Sequence, residues 1–379
     1  MNILNEQERK TLSQHRIAEI RFKEFRARYP RLHGKNAVKT YHGFGGSVRV
    51  AQLVTDQGAT GWGALCGGLS AAQSALALAT GRRVSDLFAP ESGILDDRLF
   101  PFDIALHDLA GVILNVSVAR MINPAAAPFA RIYDGAIYMN DIVPEEKPQG
   151  IDAILRDCAE DWALGHRMFK IKIGRSHRWM EHDAGMERDV EILRRVHAQY
   201  PGASLMVDAN NGYSVEDALL FLRRIEGIPL YWFEEPFAED EKNDAVLHRF
   251  LDQNRPGTLI ADGESEPNIP QLLHLASQRL VDVLQPDVCG FGFTAWRRLM
   301  PQIVANGYLA SPHAWGDVVK TYYCAHLAAA YPHHIPCVEA VLGCSEGVDD
   351  SAYSLSESML TVPDRPGFGM ELIWAPEIC

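Results

Sequence analysis

The sequence predicts an α/β fold: a barrel of the (β/α)8 type behind a smaller α+β unit. Three observations carry this. From about residue 133 to 341, short apolar strands alternate with amphipathic helices, the pattern of a buried parallel sheet crossed by helices. These strands number eight, the count that closes a barrel. The residues before them read as strands first and helices after, which marks an α+β unit.

Taken in order, residues 1–16 (MNILNEQERKTLSQHR) are polar and charged and lack the apolar segment of an export signal. Residues 17–30 alternate apolar and polar like a strand. Residues 31–46 (RLHGKNAVKTYHGFGG) have no period and four glycines. They read as a long loop, and loops of that length are usually functional or mobile. Two strand patterns then flank the turn Asp56-Gln57-Gly58, followed by helical stretches near 69–88 and 101–118. In the second stretch Ile104, Ala105, Leu109, Val112 and Ile113 share one face.

The barrel strands read 135–141, 168–174, 204–210, 229–236, 258–264, 281–287, 307–313 and 336–341. Between them, residues 183–200 place Met186, Val190, Leu193 and Val196 on one helical face, stopped by Pro201-Gly202. Ser214 and Asp217 have the spacing of a capping box opening the next helix. Residues 345–379 lack the strand–helix pattern and are expected to pack back on the first unit. The expected domains are therefore 1–132, carrying the 31–46 loop as a specificity segment, then the barrel 133–344, then the returning segment 345–379.

Composition narrows the function. The chain has 379 residues, 47% of them hydrophobic, and a formal net charge of −13 from 36 Lys and Arg against 49 Asp and Glu. An acidic balance repels phosphate backbones, so nucleic acid is not an expected partner. No apolar run approaches the ~18 residues of a membrane span, and the expected location is cytoplasmic. Seven scattered cysteines with no CxxC pair speak against a disulfide framework or a structural zinc site.

The chemistry lies at the C-terminal ends of the barrel strands, which meet at one mouth. Those ends carry Lys170 and Lys172, Asp208, Glu234 with Glu235, Glu264, Asp287, His313 and Glu339. Apolar strands that each finish in an ionisable group are not a packing pattern. Asp208, Glu234 and Glu264 end three successive strands. A ligand set of hard oxygens, without His or Cys, suits Mg²⁺, whereas zinc favours nitrogen or sulfur. Asp262 is the carboxylate that competes with Glu264 for the third place. Lys170 and Lys172 stand two residues apart on a strand and so point the same way. Their repulsion, with a metal's charge, is expected to lower the pKa of the reacting lysine. A metal that grips a carboxylate between two candidate bases suits removal of the weakly acidic proton next to that carboxylate.

The motifs KIK, VDANNGY, WFEEP, ADGES, LQPDVCG, SPHAWG and VEA, in this order and spacing, resemble the mandelate racemase subgroup of the enolase superfamily. FDIALHDLAG at 102–111 is similar to that family's capping domain. The resemblance implies a modified TIM barrel of the (β/α)7β form, an N-terminal α+β capping domain completed by the C-terminal segment, and a homo-oligomer. It also implies roles. Asp208, Glu234 and Glu264 would bind Mg²⁺. Lys172 would be the base on one face of the substrate, with Lys170 lowering its pKa and touching the substrate carboxylate. His313, oriented by Asp287, would be the acid or base on the other face. Glu339 would bond to the enediolate, and Asn210 would touch the substrate oxygens at the metal.

Two reactions use such a site, and the residues alone do not separate them. One is 1,1-proton transfer, giving racemisation or epimerisation of an α-hydroxy acid. The other is β-elimination of water. The resemblance favours the second: dehydration of an acid sugar to a 2-keto-3-deoxy acid by a hydro-lyase. The 31–46 loop fits an anionic, polyhydroxylated small molecule, since it carries Lys35, Asn36, Lys39, Tyr41 and His42. Trp315 either lines the same pocket or packs on the following helix. A non-catalytic sugar-acid-binding protein of this fold and a metal-dependent aldolase are the remaining readings.

Overall fold

The computed structural model describes residues 3–264 and 267–378. A helix, Ile3–Ser13, which the sequence reading missed, opens the chain. The strand Ile17–His33 then pairs antiparallel with Gly43–Thr55, and that strand with Thr60–Ala64. On its other edge the first strand takes up Cys344–Ser345 from the far end of the chain. The helix Asp103–Leu114 lies against Thr60–Ala64 so closely that a Cβ on Gly63 would come 2.7 Å from the Ala105 nitrogen. Glycine is required there by backbone approach rather than by a turn.

Three expectations for this layer are corrected. The first strand runs to His33, so the loop expected at 31–46 shrinks to residues 34–42. Cross-strand pairing overrides the missing period in RLH. The helix expected over 69–88 is Gly68–Ala79, because Thr80 turns extended and Gly81 takes φ +76°. A separate 3-10 turn covers Val84–Asp86. The stretch 101–118 splits into a 3-10 segment, Asp97–Phe102, and the helix, which Asn115 ends in the left-handed conformation (φ 53°).

Eight parallel strands follow: Phe129–Ile137, Met168–Lys172, Ser204–Asp208, Trp232–Glu234, Leu259–Asp262, Val283–Leu284, Leu309–Ala310 and Val338–Ala340. Each pairs with its predecessor through the seventh, and the eighth pairs back on the first. Helices cross between successive strands, from Ile151–Ala163 to Val318–Ala330. This is the (β/α)7β barrel with an N-terminal cap. The first barrel strand begins at Phe129, not 135, because Met359–Thr361 adds to it antiparallel. A division after residue 132 therefore falls inside a strand. Ser214 and Asp217 form the reciprocal capping box expected of them, and Asp240, Asn268 and Asp317 cap three other crossover helices. Each cap is worth about 1 kcal/mol.

Inside the barrel, Tyr133, Met168, Met206, Trp232, Ala261, Val283 and Cys337 form a buried plug. Side chains alternate along a strand, so the residue two steps further on shares the inner face. Those residues are Lys170 above Met168, Asp208 above Met206, Glu234 above Trp232 and Glu339 above Cys337. Apolar rings thus floor the ionisable layer. The chain ends on the cap, where Pro376 accepts from the Glu24 amide and the Ile378 amide donates to Phe22. The described cysteines are free. Among the described residues no helix is long and apolar enough to cross a membrane.

Candidate active site

The strand register sets the site. Lys172 is in register with Asp208, and Asp208 with Glu234. Glu264 stands two residues past its strand, after Gly263, whose φ of +109° re-aims the chain. One carboxylate oxygen from each of Asp208, Glu234 and Glu264 lies within 4.8 Å of the others. Asp262 is not in this group: its carboxylate accepts from the Gly263 amide, and burial, with repulsion from Glu239 and Glu235, pushes its pKa well up.

Both lysines are buried against these acids. Lys172 bonds Asp208; Lys170 bonds Glu234 and lies 3.0 Å from Glu339 and 3.4 Å from Asp208. Gly135 on the first strand makes room for Glu339, whose carboxylate a Cβ there would strike. Burial pushes Glu234 up to about 8, with repulsion from Asp208 and Glu339 adding to it. Burial opposes charge on Asp208 too, but Lys172 and Lys170 outweigh it and hold that carboxyl below its usual range.

The expected lowering of the Lys172 pKa is corrected for the protein without a cation. Burial and Lys170 do push it down, but Asp208, Glu264 and Glu234 push harder and the lysine is held above its ordinary value. The donor set fits Mg²⁺ on structural grounds. Three carboxylate oxygens converge, a fourth acid is crowded behind them, and two buried oxygens, Glu264 Oε2 and Asn210 Oδ1, have no partner. Buried acceptors without donors are costly, and a hard divalent cation satisfies them.

Across the mouth, His313 carries its own acid. Its Nδ1 lies 3.1 Å from Asp287 Oδ2, and its Nε2 lies 3.2 Å from Glu264 and 3.3 Å from Glu339. Burial lowers the imidazole pKa, but Glu264, Glu339 and Asp287 outweigh it and hold the group up at about 9. Asp287 is held well below the carboxylate range by His313 and Lys320 against the effect of burial. Asn210 sits over the cluster in left-handed backbone (φ 43°), its amide N–H donating to Asp208 at 2.9 Å and its side chain to Glu235 at 3.4 Å.

The structure brings together Lys170, Lys172, Asp208, Asn210, Glu234, Glu264, Asp287, His313 and Glu339. The 34–42 loop behaves differently. Lys39 and Tyr41 are exposed and are not drawn into this cluster. Lys35 is spent on Glu145 and on the Trp179 ring, 4.1 Å away, and Asn36 closes the loop by accepting the Val38 and Lys39 amides. His42 does approach: its ring lies 4.5 Å from Tyr138 and 5.6 Å from Trp315, and the Tyr138 ring is 5.5 Å from Lys172 Nζ. Trp315 also meets Tyr29 and His33, so an aromatic wall joins the cap to Lys172.

Sequence reasoning missed Tyr138, Trp232, Gln285 and Lys320. Trp232 and Gln285 donate to Glu234 at 3.0 and 2.9 Å. An indole in an apolar strand gives no signal beyond packing. Gln285, in the LQPD motif, carried the one available hint: an amide directly after the apolar pair Val283–Leu284.

Comparison with known proteins agrees with this geometry. A model of the family "Enolase C-terminal domain-like" matches residues 153–375. The chain is 28% identical over 294 residues to the D-galactarolactone cycloisomerase of Agrobacterium fabrum, covering 74% of this chain and 73% of that one. Its fold is similar to that of a Geobacillus sp. galacturonate dehydratase solved with D-galacturonate and 5-keto-4-deoxy-D-galacturonate. That likeness has a TM-score of 0.85 and 30% identity and covers 95% of each chain. A mandelate racemase/muconate lactonizing protein from Geobacillus sp. Y412MC10, solved with magnesium and tartrate, gives a TM-score of 0.86 and 29% identity over 95% of this chain and 93% of that one.

Proposed function

Since the chain belongs to the enolase superfamily, in its mandelate racemase-like branch, we propose that it is a Mg²⁺-dependent acid sugar dehydratase. It removes the proton next to a carboxylate and expels the hydroxyl on the adjoining carbon. The observation that carries this is the placement of Lys172 and His313 against different members of one carboxylate cluster, the lysine on Asp208 and the imidazole on Glu264. Relatives that act on sugar acids and bind a carboxylate with magnesium support the substrate class. The proposed units are the cap, the barrel and the segment from 345 that returns to the cap.

Asp208, Glu234 and Glu264 would hold the Mg²⁺, which supplies positive charge beside the substrate carboxylate and so acidifies the neighbouring C–H. Lys172 Nζ takes that proton once it is neutral, and Lys170 favours the neutral form by repulsion. Lys170 also faces the carboxylate end of the substrate. His313 Nε2 gives its proton to the departing hydroxyl, which leaves as water. Asp287 on Nδ1 fixes the tautomer and the ring plane. Glu339, between Lys170 and His313, would bond the enolic oxygen. His42 and Trp315 border the substrate space through Tyr138. The product is the enol of a keto-deoxy acid, which ketonises.

The test is incubation of the purified protein with aldonic, aldaric and uronic acids, with Mg²⁺ and with chelator, trapping keto acids as semicarbazones. Mg²⁺-dependent keto acid from at least one substrate is expected; its absence throughout would count against the proposal. Epimerisation uses the same two groups and is distinguished by a product that keeps every hydroxyl.

A further inference from the structure

We propose that Lys320 is a positioning residue of the His313–Asp287 pair, clamping together the two loops that carry it. The inference rests on the dehydratase reading for its assay and on the geometry for its content. Asp287 Oδ1 is fixed by the Cys289 and Gly290 amides, at 2.9 and 2.7 Å. Its Oδ2 takes two donors: His313 Nδ1 at 3.1 Å and Lys320 Nζ at 2.9 Å. The same ammonium donates to the Trp315 carbonyl at 3.1 Å. One cation therefore ties the loop after the sixth barrel strand to the turn that follows the seventh and holds His313. The charge on Asp287 is balanced whatever the imidazole carries.

Lys320 is also misplaced by local rules. It lies in the first turn of the helix Val318–Ala330, capped by Asp317, where the helix dipole disfavours a cation by a few tenths of a kcal/mol. Its side chain is only 17% exposed, and lysines are almost never buried unless paired. Residues that break local rules without a packing gain are concentrated at functional sites. Trp315, held by the same lysine, is the hub of the aromatic wall against Tyr29, His33, Tyr138 and His42. The lysine reaches Trp315 only at its backbone carbonyl, while these four ring contacts seat the indole, so the clamp acts on the proton donor rather than on the wall.

The test uses the full-length, Mg²⁺-loaded enzyme and an acid sugar that the wild type dehydrates. If none is found, the functional proposal fails and the clamp is not the cause. Elimination and α-proton exchange in D₂O are followed together by NMR for K320M and K320R. In K320M, elimination kcat is expected to fall about 10- to 100-fold, the size typical of lost outer-shell support. KM and Mg²⁺ affinity should stay within about twofold, and exchange driven by Lys172 should persist, so that exchange outruns elimination. K320R should recover most of the loss. Wild-type elimination in K320M would overturn the proposal. So would a parallel fall of exchange, elimination and Mg²⁺ affinity that K320R does not repair. Where K320M does not fold, K320Q, which keeps a donor without the charge, should show the same split, and its absence would equally overturn the clamp.

Discussion

Lys172 and His33 show how differently two buried bases behave within one wall of rings. Lys172 is surrounded by acids and, in the proposed mechanism, exchanges a proton. Replacing it by alanine is expected to reduce dehydration by at least about 10³-fold while Mg²⁺ still binds, as isothermal titration would show; a K172A enzyme with wild-type turnover would remove it as the base. His33 is fully buried, stacked 4.2 Å from Tyr29 and 5.4 Å from Tyr138, and neither ring nitrogen has a partner. Burial drives its pKa from 6.5 to about 3. The unfolded chain then binds a proton below pH 6.5 that the folded chain refuses, so His33 costs stability as pH falls from 6.5 toward 3. H33F lacks that penalty. In urea unfolding it should match the wild type within about 1 kcal/mol at pH 8 and gain up to about 1.4 kcal/mol per pH unit below 6.5. Parallel pH curves for the two proteins would refute this.

At the scale of elements, the barrel strands were legible because each combines an apolar run with an ionisable end. The period of two then places Lys170, Lys172, Asp208, Glu234 and Glu339 on the inner face without further information. The 31–46 loop was legible only as an irregular segment. Its seating depends on contacts between distant parts of the chain. Ala37 is fully buried; Cβ atoms added to Gly174 and Gly212 would come 2.8 and 2.6 Å from its methyl group. Trp179 Nε1 donates to the Asn36 carbonyl at 2.7 Å, and Arg178 bonds that of Val38. Which loop donors reach the substrate could not be read from composition, since Lys35 and Asn36 are consumed in holding the segment down. G212A should therefore unseat it. KM is expected to rise about 10-fold, an effect worth about 1.4 kcal/mol of binding, with Mg²⁺ affinity unchanged and faster tryptic cleavage at Lys39. Wild-type KM in G212A would show that the seating is not needed for binding.

Over the whole molecule, the cation site is linked to stability. Without the metal, Lys170 and Lys172 still bond Glu234 and Asp208, so chelation should leave the far-ultraviolet dichroism intact. Mg²⁺ at a hundredfold excess over its Kd should add about 2.7 kcal/mol to unfolding, and D208N should abolish that increment. An equal Mg²⁺ effect in D208N would place the cation elsewhere. The cap and tail were legible as an α+β unit and a returning segment. Their fine boundaries were not, because the first barrel strand is lengthened by Met359–Thr361 and the cap sheet by Cys344–Ser345. Such pairings join segments more than 200 residues apart and leave no local signature.

The central claim, that one side of the site takes a proton and the other expels a hydroxyl, is tested most directly by proton NMR in D₂O with Mg²⁺ and a panel of acid sugars. The account predicts a keto-deoxy acid, with solvent deuterium at the new methylene. Inverted configuration at the carbon next to the carboxylate, with every hydroxyl retained and no keto acid from any substrate, would contradict it and assign the same residues to epimerisation.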